Sequence, residues 1–143
     1  MAVTMAEITK LRTMTGAGMM DCKNALTEAN SDMDLAIELI RKRGQAIAAK
    51  RSDREASEGC VLAGVKNGFG AIVALKCETD FVAKNADFIA LTQQILDKAL
   101  EMKAATLADL NAIQIDGRSI ADLVTDRSGV TGEKMEIGFY EIV

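Results

Sequence analysis

The sequence predicts an α+β fold in which short helices come first and a small antiparallel sheet, covered by helices on one face, follows. Apolar residues recur at helical spacing in the first third of the chain. Two strand-like runs, "CVLAGVK" and "AIVALKC", are joined by "NGFG" at residues 67–70, and Asn-Gly between two such runs is the strongest short signal for a β-hairpin. The tail "EKMEIGFYEIV", residues 133–143, alternates like a further strand. The order of hairpin, helices and strand favours an antiparallel sheet with helices on one face.

Three helices are predicted to open the chain. The stretch "TMAE" is a capping box with Thr4 as the N-cap, and Gly16 is expected to end the first helix. A second helix is expected from about Gly18 to Ala29. The stretch "SDMD" begins a third helix, which Gly44 is expected to end. Three helices this short form a minimal module that is marginally stable alone by its size.

The second half of the chain is predicted to contain one long helix and two shorter ones. The long amphipathic helix is expected near Asp87 to Lys103, and Thr106 and Ser119 look like N-caps of the shorter helices. The residues expected on the core face of the long helix are Phe88, Leu91, Ile95, Leu96 and Ala99.

These elements predict two folded units joined by a linker. Residues 1–49 are expected to form a three-helix domain, residues 50–58 a polar and charged linker that is compatible with some helix, and residues 59–143 an α+β core subdomain. The last predicted strand runs to Val143 without a polar tail. We therefore expect the α+β unit to be truncated there, as part of a longer protein.

Composition argues against an enzyme. The chain contains no His, which removes the commonest general base and the commonest metal ligand. The stretch "GAGMMD" at Gly16 lacks the third glycine of a dinucleotide loop and follows a helix rather than a strand. The acids Glu78, Asp80 and Asp87 alone are too few oxygen donors for a magnesium site. We expect no catalytic residue, no cofactor, no metal site and no small-molecule substrate.

The same features indicate a cytoplasmic protein without a membrane partner. The three cysteines are odd in number and contain no C-x-x-C pair, which is typical of reduced, mostly buried thiols rather than a disulfide framework or zinc site. No apolar run approaches the roughly 20 residues that span a membrane. The opening "MAVTMAEITK" has an acid where a signal peptide has its apolar core.

One segment leaves a second function open. From Arg41 to Arg54, "RKRGQAIAAKRSDR" carries six positive side chains against one negative, which is a candidate nucleic-acid patch. A solvated helix end and linker is the other interpretation, since cations suit helix C-termini. The net charge of −4 and the lack of interleaved aromatic residues favour the second interpretation. Nucleic-acid binding stays the alternative function.

Large apolar side chains in unusual places are more informative. Met19 and Met20 are adjacent at the start of a helix, so that both cannot point into a core only three helices thick. Either one of them is buried and the other merely exposed, or the pair forms a contact surface for a partner. Phe81 follows Asp80 where a strand gives way to a helix. This ring can fold back into the core and Asp80 can be an N-cap, or both can face a partner.

Two long stretches resemble the signature motifs of one family. "LRTMTGAGMMDCKNAL", residues 11–26, and "CETDFVAKN", residues 77–85, are similar to stretches of bacterial elongation factor Ts, the guanine nucleotide exchange factor of the translational GTPase elongation factor Tu. The resemblance implies that residues 1–49 form a ubiquitin-associated-like domain and that the α+β unit is the first half of the family's core. It also implies that the chain binds the partner weakly, because the second half of that core is absent.

The resemblance also implies two partner-binding sites on elongation factor Tu. The first, here called the 79–82 corner, would enter the GTPase domain and disturb its Mg²⁺ site, so that GDP leaves and GTP rebinds; it consists of Thr79, Asp80, Phe81 and Val82. The second, the docking patch, would face a helix of the GTPase domain; it consists of Arg12, Met19, Met20 and Lys23. A ubiquitin-associated-type module of other specificity is a third reading, and it leaves the corner unexplained.

Overall fold

The computed structural model describes residues 2–143, and the elements follow the predicted order. The helices are α1 (Met5–Thr15), α2 (Met19–Glu28), α3 (Met33–Lys50), α4 (Asp80–Ala83), α5 (Ala86–Met102), α6 (Leu107–Ala112) and α7 (Ile120–Thr131). The strands are β1 (Glu58–Lys66), β2 (Phe69–Cys77), β3 (Gln114–Ile115), β4 (Arg118–Ser119) and β5 (Glu136–Ile142). The predicted α+β class is confirmed.

The first three helices enclose a small core of their own. The N-cap Thr4 forms the predicted capping box with Glu7, and Gly16 ends α1 in the left-handed conformation at φ 73°. Met14 lies at helical spacing from Ile8 and Leu11, which predicts that it shares their apolar face, but it is 56% exposed. The buried residues of this core are Ile8, Leu11, Ala17, Cys22, Ala25, Leu26, Ala29 and Ala36.

The prediction that Gly44 ends the third helix is wrong, because α3 continues to Lys50. Gly44 is buried where α3 packs against α7. A Cβ atom at Gly129 of α7 would overlap the Cα atom of Gly44. The glycine therefore allows two helix backbones to approach closely, and it does not stop the helix.

The predicted hairpin is confirmed, with a shorter connection than expected. Strands β1 and β2 are antiparallel, and Lys66 pairs with Phe69 across a two-residue turn. Asn67 and Gly68 both have positive φ, at 52° and 77°, as a type I′ turn requires. Strand β5 pairs antiparallel with β2, which gives the sheet order β1-β2-β5. Phe69 and Gly70, predicted as part of the connection, begin β2 instead.

Alternate residues of β2 face the helices and form the main core. Its inward side chains pack against α5, whose Phe88 is completely buried. Leu91, predicted on the same face, is only partly buried. The core residues contributed by β2 and α5 are Ala71, Val73, Leu75, Cys77, Phe88, Ile95, Leu96, Ala99 and Leu100. The inward side chains of β2, which recur every second residue, and those of α5, which recur with the helical period of 3.6, thus form one apolar layer.

The remaining elements contain one surprise. Thr106 and Ser119 cap α6 and α7 as predicted, since each side chain accepts the backbone N–H three residues later. The two-residue strands β3 and β4 were not predicted. They flank a tight turn in which Asp116 and Gly117 have positive φ. Among residues 2–143, none of the helices combines the length and the apolar character that crossing a membrane requires.

Candidate functional site

The 79–82 corner connects the end of β2 to the start of α5. Thr79 is the N-cap of α4, and its hydroxyl accepts the N–H of Val82 at 3.4 Å. Asp80 is therefore the first residue of α4, and its interpretation as an N-cap is wrong. A second N-cap, Asn85, begins α5 almost at once. The two helices are separate elements because the extended backbone of Asn85 interrupts the helical conformation between them.

Phe81 points away from the protein and is 86% exposed. The interpretation of this ring as the first core residue of the following helix is wrong, since Phe88 fills that place with 0% exposure. Val82 and Ala83 turn toward the core and pack against it. With those two side chains inward, a helix of only four residues leaves Phe81 on its outer side.

Asp80 is also accessible at the corner. Its carboxylate lies 3.9 Å from the ammonium group of Lys84, and both side chains are largely exposed. Pairs of this kind contribute little to stability because water screens them. The Asp80 carboxylate is therefore available to a partner that offers a stronger cation or hydrogen-bond donor.

The backbone below Phe81 is anchored by buried groups. The buried Cys77 thiol donates to the carbonyl oxygen of Thr79 at 3.2 Å. Burial raises the pKa of Cys77 to about 11, so this side chain stays a neutral thiol at pH 7 and serves as a hydrogen-bond donor rather than a nucleophile. The Arg51 guanidinium, by its hydrogen bonds, lowers the pKa of the Glu78 carboxyl. Hydrogen bonds from Cys77 and Arg51 therefore hold the chain just before and within the corner.

The docking patch lies on α1 and α2. Met19 and Met20 are 46% and 62% exposed, so the interpretation in which one of them is buried is wrong. Gly18, the N-cap of α2, has no side chain to form a capping hydrogen bond. The first two residues of the helix are the exposed Met19 and Met20. Arg12 and Lys23 are exposed as well. Lys23 lies one turn beyond Met19 and Met20, at the spacing that makes side chains on one helix neighbours.

Half of the cations in the basic segment have an acidic partner. Three of its six cations are paired with acids of the chain: Lys42 with Glu38 at 3.8 Å, Arg43 with Asp21 at 3.8 Å, and Arg51 with Glu78 at 2.8 Å. Pairing lowers the positive potential that a phosphate backbone would meet. The geometry therefore gives no added support to nucleic-acid binding.

No residue set in the described part of the chain is arranged as a metal site. Within residues 2–143, no three side chains of His, Cys, Asp or Glu are grouped closely enough to hold a metal ion. Glu78, which sequence inspection considered as a possible magnesium ligand, is instead bound by Arg51.

Comparison with known proteins identifies the family. A family model described as Elongation factor TS matches residues 78–143, a range that includes the whole corner. The chain is 68% identical over 143 residues to elongation factor Ts of Phocaeicola vulgatus and 67% identical over 144 residues to that of Porphyromonas gingivalis. The family that these matches share is elongation factor Ts, and the chain is similar to it over its full length. The protein of the same name in Bacteroides fragilis is 65% identical over 143 residues.

The matches cover this chain fully but the relatives only in part. Each of these three comparisons includes 100% of the chain and 44%, 53% and 43% of the respective elongation factor Ts. The chain therefore spans about half the length of the curated relatives it matches, and it corresponds to their N-terminal part. The resemblance on which the two candidate sites were predicted is confirmed. The roles of the site residues and the division into domains stay predictions.

Proposed function

We propose that this chain acts in translation as part of a guanine nucleotide exchange factor. It binds the GTPase domain of elongation factor Tu in the GDP state, disturbs the Mg²⁺ site there and promotes GDP release, so that GTP can rebind. The observation that carries this proposal is the 86% exposure of Phe81 at a corner anchored on both sides. The chain itself performs no covalent chemistry, and its partner is a protein of the cytoplasm rather than a membrane, a nucleic acid or a small-molecule substrate.

An exposed ring at an ordered corner supports a wedge role. Leaving a phenylalanine in water forgoes about 1.5–3 kcal/mol of burial free energy, which folding alone does not explain at a surface position. Aromatic anchors are enriched among the residues that dominate binding energy. A ring that is already ordered loses little conformational entropy when it inserts into a partner. Phe81 is an aromatic side chain left in water, and the backbone before it is held by hydrogen bonds at residues 78 and 79.

Asp80 supports the magnesium part of the mechanism. A carboxylate beside the wedge can compete for the groups that position Mg²⁺ in the partner, because its own pair with Lys84 is long and exposed. Loss of Mg²⁺ removes the main positive charge that neutralises the diphosphate, so GDP is held less tightly. If the chain binds the nucleotide-free partner more tightly than the GDP-bound partner, it weakens GDP binding by the ratio of those two affinities.

The docking patch has a different role in this proposal. Methionine side chains are flexible and polarisable, and they adapt to an apolar partner surface. Met19 and Met20 would supply this contact, while Arg12 and Lys23 would orient it through charge. Docking residues would set affinity, and the 79–82 corner would set the rate of release from the complex.

The Phe81 role is tested by the release of fluorescent GDP from elongation factor Tu. Phe81→Ala is expected to lower the saturating release rate by about tenfold or more, the loss typical of an aromatic anchor. Phe139→Ala is the matched control, since this ring is also exposed, at 45%, but lies on β5. Equal rates for wild type and Phe81→Ala would contradict the wedge, and a wild type without any effect would contradict the exchange function.

The docking role is tested in the same titration by the double variant Met19→Ala and Met20→Ala. We expect the half-saturating concentration to rise by about tenfold while the saturating rate stays unchanged. Met102→Ala is the control, because Met102 is 59% exposed at the far end of α5. A lower saturating rate at an unchanged half-saturating concentration would assign the methionines to the release step instead.

A further inference from the structure

A network of carboxylates holds the backbone on which Phe81 is mounted. Glu133 follows Gly132, which ends α7 in the left-handed conformation. One oxygen of the Glu133 carboxylate accepts the backbone N–H groups of Glu78 and Thr79, at 3.1 and 3.0 Å. The other accepts the hydroxyl of Thr79 at 2.6 Å. One side chain therefore binds three donors at the start of α4.

A second carboxylate extends this network to the N-terminal helices. Glu78 accepts both Nε and Nη2 of Arg51, at 3.0 and 2.8 Å, and the backbone N–H of Lys134 at 2.6 Å. Bidentate pairs of this kind are directional and stronger than single hydrogen bonds between neutral groups. The Glu78 side chain is 11% exposed and that of Arg51 31%, so water screens this pair only in part.

Three separate segments meet at this network, here called the carboxylate clamp (Arg51, Glu78 and Glu133). Arg51 is the C-cap of α3, Glu78 is the first residue after β2, and Glu133 belongs to the connection between α7 and β5. The ammonium group of Lys134 adds a bond to the carbonyl oxygen of Ser52 at 2.9 Å. The corner is thereby fixed to both the three-helix unit and the α+β unit.

The corner depends on such help. A helix of four residues, such as α4, has no cooperative stability of its own. Its inward contacts come from Val82 and Ala83, while Phe81 contributes almost none. The side on which Phe81 projects therefore depends on the orientation of α4, which is held by Val82 and Ala83 on the core side and by the clamp at residues 78 and 79.

We propose that the carboxylate clamp is a positioning device for the exchange wedge. Glu133 and the Arg51–Glu78 pair hold α4 in one orientation, so that Phe81 projects in the direction of insertion before the partner arrives. The entropic cost of ordering the ring is then met by folding rather than by binding. Arg51, Glu78 and Glu133 act through Phe81 and need no contact with the partner. This inference rests on the exchange function proposed above.

The first test measures the mobility of position 81 directly. Because the chain contains no Trp, Phe81→Trp introduces a single tryptophan at the wedge, which can be excited selectively in the presence of Tyr140. Its time-resolved anisotropy is expected to show a larger fast component when Glu133→Ala is added. Glu136→Ala is the matched control, since this exposed acid lies on β5, three residues away and outside the clamp. An unchanged anisotropy in the Glu133→Ala background would overturn the proposal.

The second test is a double-mutant cycle in the GDP-release assay. Glu133→Ala alone is expected to lower the saturating release rate by about two- to tenfold, as for the loss of order in one side chain. Added to Phe81→Ala, it is expected to lower the rate no further, because the clamp acts only through the ring. An undiminished additional loss in the Phe81→Ala background would indicate a direct contact or a general loss of structure, and would overturn the proposal.

The fold is expected to survive these changes. Thr79 is exposed, so water can replace the Glu133 carboxylate at the freed N–H groups. Arg51→Ala removes the other end of the clamp, and Lys50→Ala is its control. We expect Arg51→Ala to change the anisotropy and the release rate in the same directions as Glu133→Ala, but by less. If wild type stimulates release and Glu133→Ala equals it, the positioning role alone fails. If wild type does not stimulate release, the exchange function fails and the positioning role fails with it.

Discussion

Phe88→Ala is expected to lower the free energy of unfolding by about 3–5 kcal/mol, whereas Phe81→Ala is expected to change it by less than about 0.5 kcal/mol. The two rings are close in sequence but differ completely in surroundings. Phe88 is 0% exposed between α5 and the sheet, and its loss leaves a cavity in the main core. Phe81 is 86% exposed and leaves no cavity.

Urea unfolding followed by circular dichroism measures both values on the same chain. A cost for Phe81→Ala similar to that for Phe88→Ala would show that the Phe81 ring is buried in solution, which would remove the basis of the wedge. A large loss for Phe88→Ala is a substantial part of the total stability of a small protein, about 5–15 kcal/mol. The unfolding measurement is also a control for the GDP-release assay, because Phe81→Ala must stay folded for its release rate to be interpretable.

Much of the fold follows from local signals in the sequence. The Asn67–Gly68 pair specifies a turn in which both residues need positive φ, and the structure has that turn. Thr4, Thr106 and Ser119 were recognisable as N-caps because a hydroxyl before a helix satisfies a free backbone N–H.

The errors arose where distant packing decides. A glycine in a helical pattern usually signals an end, but Gly44 lies inside α3 because it contacts Gly129 of α7, a partner that no local pattern reveals. The strands β3 and β4 have two residues each, which is too short for any periodicity. Propensity is a weak guide when tertiary contacts compete with it.

The sequence indicated which residues to consider as the candidate site, but it did not indicate which hydrogen bonds hold them. The family resemblance pointed to Phe81, while residue type alone left its burial open, because a phenylalanine near a helix start faces either way. The clamp was missed entirely. Glu133 lies 54 residues from Thr79 and Arg51 lies 27 residues from Glu78. Only the folded chain brings these charges together.

In the proposed mechanism, Phe81 promotes GDP release by disturbing the Mg²⁺ site of elongation factor Tu. The most direct measurement compares GDP release stimulated by wild type and by Phe81→Ala, first in excess Mg²⁺ and then in excess chelator. With Mg²⁺ present, wild type is expected to exceed the variant by about tenfold or more. Without Mg²⁺ this ratio is expected to fall toward one, because the charge that the wedge displaces is already gone. A ratio that stays the same in chelator would contradict the claim and show that Phe81 acts on the nucleotide by another route.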